Sequence, residues 1–358
     1  MSEMMERGPK RSDSSPRCMQ EGRRLPPFFV VGCSRSGTTM LRLILNRHPD
    51  LAIPPESHFL VPLLDTYPAD SLLSPAEVAA VVRAIVEHPR FAAWQTTADE
   101  LAAACESQSV PTLATLIDTV FRLEIGVTGK PRWGDKTPEY CSHLGRLHQL
   151  FPAASFIHIV RDGRDVSNSL RDRTWYGWTE LQRARHWTRT VRDAESAGRR
   201  IGSAQYLRVS YEDLVLSPES TIRSVCDFLH VDVHPSMLAF YEDAARHVAE
   251  NIEPGGHHQK LRRPPQPSDV HRWRRESSLL RIMLFESIAG RMMDQLGMKR
   301  KFRGLLRPIG LLAAGLYYPI GGAVAAMQRM YESMPQGIQR SWRQNHLLRN
   351  VKRAISRC

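Results

Sequence analysis

No C-x-x-C pair occurs among the six cysteines, Cys18, Cys33, Cys105, Cys141, Cys226 and Cys358. Their scatter excludes a disulfide framework and a cysteine zinc site, and it suits a reducing compartment. An apolar leader is also lacking. Residues 1–26 are polar and rich in Pro, Ser and Arg, which reads as a disordered leader without an export signal and makes the cytoplasm the expected location. No internal repeat is visible. Acidic residues nearly vanish at the end: from Lys299 onward twelve Lys/Arg face one acid, Glu332, so this stretch carries +11 of the net +12. The basicity belongs to a tail, and because its charge sits in one block without interleaved aromatics, nucleic acid is not an expected partner.

What is present can build a large core: 358 residues, 42% of them apolar, fit one α/β domain with an appendage. The organising stretch is Phe28-Phe29-Val30-Val31-Gly32-Cys33-Ser34-Arg35-Ser36-Gly37-Thr38-Thr39, followed by Met40, Leu41, Leu43, Ile44 and Leu45. An apolar run, a loop between two glycines and a second apolar run predict strand, tight loop and helix. Such a loop turns successive N–H groups onto an anion at the positive end of the helix, and a phosphate is the expected guest. The spacing is that of a nucleotide phosphate loop, except that Thr38 stands where an NTPase carries its lysine. Arg35 is the cation inside the loop.

Further along, Leu51-Ala52-Ile53 reads as a short strand stopped by Pro54-Pro55, and it delivers Glu56-Ser57-His58 to the crevice outside the strand ends. Residues 74–125 have helical spacing and form a helical insertion. Arg132 to Pro138 reads as a short extended piece that puts Lys136 on another loop of the crevice. Ser155 to Val160 is a buried strand, and it passes into a helix such that Arg161 and Ser169 can reach one anion. Tyr206 to Val209 is a last strand, and Tyr211-Glu212-Asp213-Leu214 opens a helical turn. Residues 253–275 read as a functional loop over the site, and a helix from Ser277 to Leu296 closes the domain. The expected fold is α/β, with a P-loop-type central parallel sheet flanked by helices, a helical insertion and a basic C-terminal tail. Its parts are a leader at 1–26, a domain at 27–298 and a tail at 299–358.

In this order the elements resemble the sulfotransferase superfamily that uses 3′-phosphoadenosine 5′-phosphosulfate (PAPS), and within it the bacterial and tyrosylprotein-like branch. The likeness rests on Ser34-Arg35-Ser36-Gly37-Thr38-Thr39, on Arg161-Asp162-Gly163-Arg164-Asp165 through Ser169, and on Val209-Ser210-Tyr211-Glu212-Asp213-Leu214. The resemblance implies that the loop Ser34–Thr39 holds the 5′-phosphosulfate through its amides, Thr38 and Thr39. It implies that Arg161 and Ser169 hold the 3′-phosphate with Arg173 and Tyr211 nearby, and that Arg263 is the basic residue of a closing loop. Glu56 matches the proposed base, and Lys136 a lysine on the leaving-group oxygen. His58 stands where the tyrosine-modifying enzymes carry an arginine, which weighs against a peptidyl tyrosine acceptor and leaves a glycan or lipid hydroxyl as the expected one.

The chemistry agrees with that assignment. Sulfuryl transfer to an alcohol needs a group to take the hydroxyl proton and cations where charge gathers on the departing oxygen; Glu56 and the Arg35/Lys136 pair supply these, and no metal is needed. Competing readings are that Glu56 caps a helix beginning near Ser57, that His58 is the base, and that Lys136 is a surface lysine. Two rival functions stand beside the transferase: a P-loop kinase or NTPase with Asp162 holding a metal, and a membrane-docked binding module with a vestigial nucleotide site. The tail motivates the latter. Pro308 to Met327 is a run of twenty uncharged residues, interrupted by glycines and Pro319 and flanked on both sides by basic residues, so it is not expected to span. Trp342, Leu348, Val351 and Ile355 recur among arginines at near-helical spacing, as in a helix lying in the headgroup layer of an anionic membrane.

Overall fold

Four consecutive large apolar residues, Phe28–Val31, form strand β1, and all four are buried. Such a run suits a strand covered on both faces, in the middle of a parallel sheet. The computed structural model describes residues 25–108, 111–171, 179–242 and 259–302, and it puts β1 there. The other strands are β2 (Leu51–Ala52), β3 (Arg132–Lys136), β4 (Ser155–Val160) and β5 (Tyr206–Ser210). They run in the order β2-β3-β1-β4-β5 with every pairing parallel. Val30 lies beside Lys136 on one side and beside Ile157 on the other. All carboxyl ends therefore open along one edge, with the ends of β3 and β4 flanking the loop that leaves β1.

Alternation along β1 splits the core in two. Phe29 and Val31 face one cluster together with Phe156, Trp133 and the helical insertion, while Phe28 and Val30 face another with Leu41, Ile44, Leu214 and Ile222. The insertion consists of helices α3 (Pro75–Val86), α4 (Ala98–Glu106) and α5 (Leu113–Gly126). Each begins at a Ser or Thr that exchanges hydrogen bonds with the residue three further on: Ser74 with Glu77, Thr97 with Glu100, Thr112 with Thr115. That reciprocal cap satisfies two otherwise orphaned donors. The insertion is fastened to the sheet where Phe121 stacks on Trp133 at 4.3 Å between ring centroids, each aromatic contributing about 1.5–3 kcal/mol by burial.

Behind the strand ends lie α7 (Gly163–Arg171), α8 (Glu180–Ile201) and the closing helix Leu279–Gln295. They are joined by buried ion pairs. Arg164 bonds Asp162 and Glu286 at 2.6 Å each, and Glu180 bonds Arg183 at 3.0 Å and Arg281 at 2.9 Å. Glu286 also accepts the backbone N–H groups of Lys301 and Phe302, and Arg164 donates to the Lys299 carbonyl. The first residues of the basic stretch are thus bonded to the domain. Among the described residues no helix is long and apolar enough to cross a membrane. The leader up to residue 24, Arg173, residues 253–258 of the expected loop and the tail from 303 lie outside the described residues.

Candidate active site

The loop after β1 is shaped by close approach. A Cβ on Gly32 would stand 2.6 Å from the Ile159 carbonyl oxygen, and one on Gly37 would stand 2.5 Å from the Tyr211 ring. Gly37 also has φ +99°, a region that favours glycine. It precedes helix α1 (Thr38–Asn46), which has no side-chain cap and no acid in its first turn. The leading N–H groups of α1 thus lack the usual side-chain acceptor, at the positive end of the helix. Arg35 itself is left-handed, with φ +73°, and the Ser36 hydroxyl is buried with no hydrogen-bond partner. A guest with several acceptor oxygens fits these donors.

On the β4 side, Arg161 leaves the strand end and lies over the Tyr211 ring, 4.2 Å from its centroid. Its Nη1 donates to the Arg35 carbonyl and its Nη2 to the Asp269 carbonyl, each at 3.2 Å, while Nε is buried without a partner. Arg35 Nε donates to Ser169 Oγ at 3.1 Å. The structure therefore gathers Arg35, Arg161, Ser169 and Tyr211 around one point. Tyr211 is both a core residue and the floor under Arg161. Arg263 stands next to this group, but its guanidinium is engaged with the Asp269 carboxylate at 2.8 Å. Asp162, the acid that a metal-dependent reading requires, is bonded to Arg164 through both oxygens.

On the β3 side, Lys136 is the last residue of the strand rather than part of a loop, and it is almost fully buried. Burial makes a partner necessary. Lys136 Nζ donates to Glu56 Oε1 and stands 3.5 Å from Thr39 Oγ1 in the first turn of α1. The surface-lysine reading is thereby excluded. The cap reading of Glu56 is excluded as well, because the next helix, α2 (Leu60–Thr66), has no side-chain cap and no acid in its first turn. Glu56 instead lies between Lys136 and His58, with its Oε2 2.8 Å from His58 Nε2. Burial alone would raise its carboxyl, but Lys136 and His58 outweigh burial and hold it well below the usual carboxylate range.

Two supports were not legible in the sequence. Asn46 and Arg42 on α1 bond the backbone of Ile53, which fixes the turn that leads to Glu56. Between Glu56 and His58, Ser57 is fully buried and donates to Asp135 Oδ2 at 2.7 Å; Tyr140 donates to the same oxygen and Thr137 to Oδ1. The sequence signals for this cluster were the placing of Glu56-Ser57-His58 at the crevice and the neighbouring Lys136. Cys33, inside the loop, is a buried core residue whose thiol burial pushes up to about 12, so it is no nucleophile.

The model described as the sulfotransferase family matches residues 26–235. A protein-tyrosine sulfotransferase of Drosophila melanogaster is 26% identical over 235 residues, 63% of this chain and 42% of its own length. Nodulation protein NoeE of Sinorhizobium fredii is 31% identical over 148 residues, 41% of this chain and 31% of its own length. The chain thus spans about a third to a half of the length of these and of a protein-tyrosine sulfotransferase A of Caenorhabditis elegans. Among solved structures, the sulfotransferase domain from the curacin biosynthetic pathway superposes with a TM-score of 0.53 at 20% identity, covering 78% of this chain and 100% of that one. The sulfotransferase domain of the Synechococcus PCC 7002 olefin synthase gives 0.50 at 24% identity, covering 76% and 96%. These two likenesses concern the fold, whereas the family match extends over more than half of the sequence, from the strand before the phosphate loop through the Arg161 and Tyr211 elements to residue 235. The chain belongs to the sulfotransferase family.

Proposed function

We propose that this protein transfers a sulfuryl group from PAPS to the hydroxyl of a small molecule, glycan or lipid. The observation that carries the reading is the placement of a carboxylate and a buried lysine, Glu56 and Lys136, directly beside an uncapped helix start lined with loop donors. PAPS supplies an activated sulfuryl group and a phosphate leaving group. The loop Ser34–Thr39 holds the phosphosulfate end, and Arg161 with Ser169 and Arg35 takes the 3′-phosphate. Lys136 neutralises charge on the departing oxygen. Glu56 accepts the acceptor's hydroxyl proton once Lys136 turns toward the donor, since loss of that ion pair restores basicity to the carboxylate.

Calorimetry tests the donor assignment: adenosine 3′,5′-bisphosphate should bind without magnesium, and tighter ATP–magnesium binding would favour the kinase reading. A screen of hydroxyl acceptors with radiolabelled PAPS then identifies the acceptor class. Glu56→Gln should retain bisphosphate affinity and lower turnover by roughly 10² or more; a variant with full turnover would remove Glu56 from the role of base. For the basic stretch we propose docking on the cytoplasmic face of an anionic membrane. Sedimentation with anionic vesicles should separate the full chain from one ending at Phe302, and equal, salt-insensitive behaviour of the two would reject docking.

A further inference from the structure

The register of β3 on β1 puts Asp135 beside Phe29 and Lys136 beside Val30, so the two side chains leave the strand on opposite faces of the sheet. Lys136 meets Glu56 on the face that carries α1, where its Nζ also stands 3.5 Å from Thr39 Oγ1. Asp135 meets the next residue of the turn on the other face, its Oδ2 accepting from Ser57 Oγ at 2.7 Å. Consecutive residues of the turn, 56 and 57, thus grip consecutive residues of the strand, 136 and 135, from the two sides. The ties differ in kind. The Glu56 side chain keeps 21% exposure, whereas Ser57, Asp135, Thr137 and Tyr140 are all fully buried, so water does not compete for the Ser57 bond. Asp162 and Glu286, also buried, are matched by Arg164, and Glu180 by Arg183 and Arg281. Asp135 is given hydroxyls instead, from Ser57 and Tyr140 at 2.7 Å and from Thr137 at 3.2 Å. Burial raises its carboxyl above the ordinary aspartate value, and the hydroxyls offset only part of that rise. An apolar side chain would suit such a core better; what the acid adds is a fixed place for Ser57.

We propose that Ser57 and Asp135 are positioning residues that hold Glu56 at the acceptor while Lys136 is turned toward the donor. The inference rests on the roles proposed above for Glu56 and Lys136. In that reading the Glu56–Lys136 ion pair opens for the base to act, and the turn then loses its tie on the α1 face. The tie to Asp135 involves no reacting group and stays closed. It also steadies a strained neighbour. His58 has φ +46°, uncommon for a non-glycine residue, and across this bend its Nε2 stands 2.8 Å from Glu56 Oε2. With Ser57 released, the bend can relax and carry the Glu56 carboxylate away from the acceptor oxygen.

Hydrogen exchange read by mass spectrometry, on the full chain saturated with adenosine 3′,5′-bisphosphate, tests the tie without turnover. Lys136→Met opens the ion pair and keeps the buried volume. The amides of residues 56–61 should exchange nearly as slowly in it as in the wild type, and adding Ser57→Ala should speed them about two- to twelvefold, as loss of one neutral hydrogen bond predicts. Thr137→Val in the same background takes a hydroxyl from the other Asp135 oxygen, leaves Ser57 bonded, and should not speed them. Equal exchange with and without Ser57→Ala overturns the tie, whatever Glu56 does. Hydrolysis of radiolabelled PAPS, with water as acceptor, tests the consequence on the single variants and so decides even where the double variant does not fold. Ser57→Ala should lower kcat roughly ten- to a hundredfold with bisphosphate affinity unchanged, and it should add nothing to the loss in Glu56→Gln, because it acts through Glu56. Wild-type kcat in Ser57→Ala, or a loss that multiplies with that of Glu56→Gln, overturns the proposal. Full turnover in Glu56→Gln instead defeats the reading of Glu56 as base and the positioning role with it, and the exchange rates separate that result from a failure of the tie.

Discussion

Arg161 and Arg164 lie three residues apart on one strand-to-helix element, and both are buried, yet their bonding differs in kind. Arg164 is matched by two carboxylates at 2.6 Å and stacks on Trp273 at 3.5 Å. Arg161 gives its outer nitrogens to two carbonyls, leaves Nε without a partner, and has Asp165 only at 3.8 Å. A charge matched by carboxylates serves the fold. A charge held in position by neutral acceptors is available to an anion that arrives later. The Glu180–Arg183–Arg281 cluster behind the sheet belongs with Arg164.

The comparison breaks most readily at Arg164. Arg164→Leu removes the partner of two buried acids, Asp162 and Glu286, so it should cost about 3–5 kcal/mol of stability and lower Tm by roughly 6–20 °C for a domain of this size. Bisphosphate affinity of the folded protein should hardly change. Calorimetric melting followed by titration measures both. A stable variant that has lost its affinity would reverse the assignment of the two arginines.

Arg161→Ala should behave in the opposite way. Removing a charge-assisted contact of about 1.5–3 kcal/mol should weaken bisphosphate binding roughly ten- to a hundredfold, with Tm lowered less than in Arg164→Leu, because the one carboxylate paired with Arg161, Asp165, stands 3.8 Å away and is not hydrogen-bonded to it. A large drop in Tm with unchanged affinity would place Arg161 in the same class as Arg164.

Position at the strand end and the resemblance singled out Arg161 in the sequence, but both arginines stand in one short polar motif, and only the third dimension shows that Arg164 is the one that finds two acids. The strands around the loop were legible because Phe28–Val31 is continuously apolar and the run from Phe156 to Val160 is broken only by His158, and the loop was legible because its glycines are obligatory. β3 was harder. Arg132, Asp135 and Lys136 are all buried in it, so it lacks any apolar period, and Lys136 was expected in a loop instead of at a strand end. The pairing of Glu56 with Lys136, eighty residues apart, depends on β2 and β1 both taking β3 as neighbour, an order that residue spacing does not encode. Ser57, Asp135 and Tyr140 look unremarkable in the chain, because hydroxyls around a buried acid have no periodic signature.

Ser169 sharpens the comparison at its smallest scale. It lies on the same helix as Arg164, and its hydroxyl accepts from Arg35 Nε at 3.1 Å, linking the phosphate loop to the Arg161 element. If these donors are arranged for a guest, Ser169→Ala removes one neutral hydrogen bond of about 0.5–1.5 kcal/mol and leaves Arg35 less constrained. Bisphosphate affinity should then fall about two- to twelvefold, with melting unchanged, and the loss should largely disappear when Arg161→Ala is already present if the two side chains share one anion. A double-mutant cycle by calorimetry measures that coupling. Strict additivity of the two losses would mean that Ser169 and Arg161 act at separate points, and the cluster around Arg35 would then have to be divided into two sites.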